Sequence, residues 1–277
     1  MNIKVTAAMI APFLFGLAMV ACEEAVEPLT QQEAKQGLEE AAYSSVSASL
    51  EADLVEISTH FTIGSAVNAA AEELKTFLLT QVPCADVMIA NSLVTIDFGA
   101  LEDGCVYNGK TYGGVVTIQI VSTDANMTVV DHEWINLTNG TATVSGTIKV
   151  TWDKQNQKRK VQHLLTWERN GEQIIVEGDR TQSLLDSTEG IAGGIKIDGV
   201  RTWTTNAGVW TLDINGIEMR PQDPVPQTGS YVLVLPNGKT MQMQFTRVDN
   251  ATIQCTIQGL KRTFTFQIKA LGLIEQV

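Results

Sequence analysis

Thr147-Ile148-Lys149-Val150-Thr151-Trp152 decides the fold. Ile148, Val150 and Trp152 fall on one side of an extended chain, and Thr147, Lys149 and Thr151 fall on the other. That period of two belongs to a strand with one covered face. The pattern recurs downstream. Met241, Met243 and Phe245 alternate with Gln242, Gln244 and Thr246; Phe264, Phe266 and Ile268 alternate with Thr263, Thr265 and Gln267. Asn-Gly stands at 108–109, 139–140, 170–171, 215–216 and 237–238. This dipeptide suits tight hairpins, whose central residues need positive φ. Alternation and turns together predict about 12 strands from Leu93-Val94-Thr95-Ile96-Asp97-Phe98 onward. A sheet that wide must curl or split. Pro221, Pro224 and Pro226 mark one long connection before the last strands.

Upstream the period changes. Thr30-Gln31-Gln32-Glu33 reads as a capping box that opens a helix extending to about Ser58. Leu38, Ala41, Ala42, Ser45, Ser49 and Ala52 recur at helical spacing along it. A second helix is expected over Ala66–Leu79, with Val67, Ala70, Leu74, Phe77 and Leu78 on one stripe. The fold class is therefore α+β: two N-terminal helices, then a large curved antiparallel β-meander, a half-barrel or incomplete barrel. Residues 30–277 form a single domain on this reading, 30–83 a helical preface and 93–277 the sheet. The helices bury their stripes on the covered face of the sheet.

The chain begins with Lys4, an apolar run from Val5 to Ala21, and then Cys22-Glu23-Glu24. A charged start, an apolar centre and small residues at the cut form a signal peptide. Met19-Val20-Ala21-Cys22 resembles the lipobox of bacterial lipoproteins. The resemblance implies cleavage before Cys22, lipid on that residue, and a membrane partner held through the lipid. Residues 1–21 are then the signal peptide and 22–29 a lipidated tether. Glu23 is not the aspartate that retains enteric lipoproteins at the inner membrane, which favours the outer membrane. With its Thr-rich strands, the chain also resembles in style the uncharacterised envelope lipoproteins of Gram-negative bacteria.

The net charge is −12, and cleavage removes Lys4 and no acid, leaving −13. Such a surface repels phosphate backbones, so nucleic acid is excluded as a partner. Lys158-Arg159-Lys160 is the densest basic stretch and reads as a solvated hairpin tip. Export permits disulfides. Cys84 and Cys105 bracket one expected strand at a separation that suits loop closure, and they are expected to pair. Cys255 shares a face with Ile253 and Ile257 and reads as a small buried hydrophobe.

Chemistry is sparse. Asp131-His132-Glu133 reads as a solvated hairpin, because consecutive strand residues cannot converge on a metal. No GxSxG accompanies His60, His132 or His163, and Gly193-Gly194 reads as a turn without the features of a phosphate loop. No catalytic residue, metal or cofactor is expected. His163 shares the covered face with Val161, Leu165 and Trp167. Arg180, Arg201 and Arg247 raise the question of inward cations, which need a carboxylate, a ligand anion or an escape to water. His163, Trp167, Arg180 and Arg201 are the candidate ligand-facing residues. Two readings follow: a non-catalytic envelope lipoprotein with a structural or partner-binding role, or a carrier with a hydrophobic ligand, such as a lipid, in the concave face.

Overall fold

The computed structural model describes residues 27–43, 51, 54–55, 75–76, 78–80, 82–90, 93–107, 110–140, 142–169, 171–189, 193–220, 223–269 and 274–276. Cys22 and most of the expected second helix lie outside the described residues, as does the first helix beyond 43 apart from short pieces.

Helix α1 spans 31–43. Its start is the capping box expected at Thr30. The Glu33 amide donates to Thr30 Oγ1 (3.2 Å), and the Thr30 amide donates to Glu33 Oε2 (2.8 Å). Lys239 Nζ also reaches Glu33 (2.9 Å), tying the helix start to the sheet. That contact and the Thr30 bonds outweigh the effect of burial and lower the Glu33 carboxyl to about 2. Ala34, Leu38 and Ala41 are buried on the sheet-facing side. Gly37 lets α1 approach closely: a Cβ there would stand 2.2 Å from Met241 Sδ.

Fifteen strands follow. They are β1 (Asp86–Ala90), β2 (Leu93–Asp97), β3 (Cys105–Tyr107), β4 (Lys110–Thr123), β5 (Met127–Thr138), β6 (Thr143–Asp153), β7 (Lys158–Arg169) and β8 (Glu172–Leu184), then β9 (Ile195–Thr205), β10 (Gly208–Met219), β11 (Thr228–Val234), β12 (Thr240–Arg247), β13 (Thr252–Gly259), β14 (Arg262–Lys269) and β15 (Ile274–Gln276). All but β3 form one antiparallel path in chain order from β1 to β15, and β3 pairs beside it with β4. The sheet is open, with β1 and β15 at its two ends. Alternation sets its faces as expected: Ile148, Val150 and Trp152 are buried, as are Met241, Met243 and Phe245.

The structure corrects several expectations. The described residues form fifteen strands, more than the about 12 read from alternation, and the sheet begins at Asp86, ahead of Leu93. Asp86–Ala90 is short, and only Val87 on it is fully buried, so its period is faint. Asn215-Gly216 is not a turn. It lies inside β10, where the register slips against both neighbours and Gly216 takes φ 56°. A bulge uses the same positive φ as a hairpin, so one dipeptide serves either. Lys158-Arg159-Lys160 opens β7 and is only partly solvated. Its parity turns Arg159 inward, where Nε donates to Gln182 Oε1 (2.7 Å). Asp131-His132-Glu133 lies in the middle of β5, away from any tip, and His132 is buried.

Cys84 and Cys105 form a disulfide with Cα atoms 5.2 Å apart. The loop it closes holds two strands, β1 and β2, where one was expected. Cys255 is free and buried, and burial pushes its thiol up to about 12.

Candidate functional site

Three of the four candidate ligand-facing residues converge on one point. The register places His163 on β7 opposite Gly178 on β8, and Gly178 opposite Arg201 on β9. Arg180 stands two residues beyond Gly178 on the same face. Without a Cβ, Gly178 leaves room for the imidazole above it. An added Cβ would lie 2.4 Å from His163 Cε1. The side chain that fills the convergence point is Glu51, 129 positions from Arg180.

Glu51, His163, Arg180 and Arg201 are all buried, each 4% exposed or less. Arg180 Nη2 donates to Glu51 Oε2. His163 Nδ1 lies 3.2 Å from the same oxygen. Arg180 Nη2 also stands 3.2 Å from Nδ1, so this nitrogen lies between an accepting carboxylate and a donating guanidinium. His163 Nε2 turns toward Gly178, with no hydrogen-bond partner.

The electrostatics follow from this geometry. Burial raises the Glu51 carboxyl. The charges of Arg180 and His163, the His163 hydrogen bond and the more distant Arg201 outweigh it, and the group stays well below the usual carboxylate range. His163 is pushed down mainly by burial. Glu51 opposes that shift, and the two guanidiniums add to it. Arg201 falls to about 10, chiefly through burial, with Glu51 pulling the other way and Arg180 adding to the fall. Among the described residues, two guanidiniums thus lie about one carboxylate beside an imidazole.

Trp167 is buried four residues along β7 from His163, and it packs edge-on against Tyr43 of α1 (5.8 Å, 74°). A second inward polar group lies nearby on the same face: His132, Arg159 and Gln182. Burial first, then the Arg159 charge, holds His132 down to about 3. Arg247 found the escape that its position allows: Nε donates to Gln227 Oε1 (3.1 Å), and Nη2 pairs with Asp223 near the end of β12.

The exposed face carries a different feature. A groove of about 750 Å³ crosses the outer side of the sheet from β2 to β8. Its walls carry Asp131, Glu133, Lys149, Gln162, Glu177 and Asp179. Lys149 faces Asp131 (3.7 Å), Gln162 Nε2 donates to Asp179 Oδ2 (3.0 Å), and Lys160 pairs with Asp179 (3.0 Å). No three His, Cys, Asp or Glu side chains among the described residues gather as a metal site would require.

Sequence reasoning missed Glu51. Parity raised the question of inward arginines and left a carboxylate, a ligand anion or an escape to water open; no local pattern names an acid so far away in the chain. It also missed the groove, which is assembled from side chains on strands from β2 to β8, a grouping that no period encodes. No protein family matches this chain, nor does any curated protein or solved structure.

Proposed function

We propose that the protein is a non-catalytic envelope lipoprotein, anchored through lipid on Cys22, with a structural or partner-binding role. Its sheet, on this reading, curves as a half-barrel over a two-helix preface. One observation carries the choice between scaffold and carrier. The covered face is occupied by the chain's own groups: Trp134, Trp167, Arg180 and Arg201 are fully buried, and Glu51 fills the pocket between the candidate ligand-facing side chains. A carrier needs unfilled apolar volume. The groove lies instead on the exposed face, where charged and polar side chains line it together with Leu93 and Leu164.

Two measurements test this reading. Cys22→Ser should abolish lipid labelling and leave the protein soluble or uncleaved. A mutant that still fractionates with membrane after a high-salt wash means that lipid does not hold it there. Native mass spectrometry of the chain from residue 23 should show the polypeptide mass alone. A stoichiometric bound lipid would replace the scaffold with a carrier.

A further inference from the structure

Leu29 is buried against Gly259, the last residue of β13; a Cβ on Gly259 would stand 2.6 Å from Leu29 Cβ. Lys239 reinforces the attachment through Glu33 (2.9 Å) and the Pro28 carbonyl (3.5 Å). The tether therefore joins the sheet at the end where the β11–β12 and β13–β14 turns lie. Cys22 precedes Leu29 by seven residues, which span at most about 24 Å when fully extended.

The β13–β14 turn at that end is unlike the other tight turns. Gly259 pairs with Arg262, which leaves Leu260-Lys261 at the tip. Where Tyr107 pairs with Lys110 and Arg169 with Glu172, the two intervening residues in the sequence are Asn-Gly. Here Lys261 adopts φ 62°, a conformation that glycine or asparagine takes at less cost. Leu260 is 48% exposed, and Lys261 and Arg262 are exposed too. Neither base takes part in an ion pair with a described residue, in a chain of net charge −12. Turns at the opposite end carry Asp124, Asp153, Asp186 and Asp249, each accepting a hydrogen bond from an amide of its own turn. The end beside the tether thus presents an apolar residue followed by two cations, and its other turns carry Asp97 and Asp103, which accept amide hydrogen bonds as the aspartates opposite do.

We infer that the Leu260-Lys261-Arg262 tip is a second contact with the membrane, in which Leu260 enters the interface and the two bases meet anionic headgroups. The inference rests on lipid anchorage at Cys22. A basic patch beside a lipid anchor adds about one kcal/mol per charge near an anionic surface, close to fivefold each. The contact also fixes orientation. The turns that carry Asp124, Asp153, Asp186 and Asp249 then point away from the bilayer.

The test uses the full lipidated chain in vesicles of phosphatidylglycerol and phosphatidylcholine that carry brominated acyl chains. A Leu260→Cys variant takes an environment-sensitive fluorophore. Cys255 is buried and Cys84 is bridged to Cys105, so the label goes to the tip. Gln155→Cys in the exposed β6–β7 turn at the opposite end is the control. The tip label should be quenched by bromine and the control label should not. Lys261→Gln with Arg262→Gln should lower the tip's partition into the interface about 25-fold. Lipidated protein with an unquenched tip label overturns the contact and leaves anchorage intact. Protein that carries no lipid, shown by acyl labelling of the same preparation, overturns both.

Discussion

The two faces of one sheet hold the same kinds of charge in opposite circumstances. On the covered face, Arg180 and His163 share the Glu51 carboxylate away from water. On the exposed face, Lys149 meets Asp131 across β5 and β6 at 3.7 Å, with both side chains about half exposed. Water makes the difference. An exposed pair contributes about 0–1 kcal/mol, because solvent and salt already satisfy each partner. A buried pair contributes little as a whole, yet removing one member leaves an uncompensated charge. The covered cluster is therefore a specificity device: it sets where the Glu51 segment must sit. The exposed ladder is free to exchange its partners, which suits a surface that other molecules meet.

That contrast breaks most visibly at Glu51. Glu51→Ala should cost about 3–5 kcal/mol in denaturant unfolding, since it leaves Arg180 buried without its acid. A loss under about 1 kcal/mol would mean that this pair behaves like an exposed one. Gly178→Ala should cost about 1–3 kcal/mol, because the new methyl meets the His163 ring and the imidazole must leave Glu51.

Acid should act on the covered face first. His132 and His163 are held below their ordinary value of 6.5, so the unfolded chain binds protons there that the folded chain refuses. Stability is then full above about pH 6.5 and declines as pH falls, for His132 down to about 3. Glu51 adds a loss below its ordinary 4.5, because its depressed carboxyl stays charged in the fold after the unfolded one has protonated. Urea midpoints should drop from pH 7.5 to pH 5, and His132→Gln should flatten part of that fall. A midpoint that rises on acidification would contradict the burial of these groups. The smallest effect belongs to the exposed face: Lys149→Ala should change stability by about 0–1 kcal/mol, and salt should erase the difference.

Much of the covered face was legible because a strand's period is exact. Parity alone put His163, Leu165 and Trp167 on one side and flagged Arg201 as inward. The capping box at Thr30 and the Cys84–Cys105 pairing were legible because each is a local or compositional rule. The failures share a physical cause. Asn215-Gly216 meets the dihedral needs of a bulge and of a turn equally well. Arg159 follows the parity of its strand despite two basic neighbours. Glu51 reaches Arg180 only through the tertiary fold, and the groove is assembled from side chains on strands from β2 to β8.

The account's central claim is that the covered face of the sheet is filled by the protein itself. Titrating the folded chain from residue 23 with an apolar fluorescent probe tests it most directly. With Trp134, Trp167, Arg180 and Arg201 buried there, the probe should show no saturable binding at neutral pH. One-to-one saturable binding that a lipid displaces, and that Trp167→Ala weakens without a large loss of stability, would contradict it.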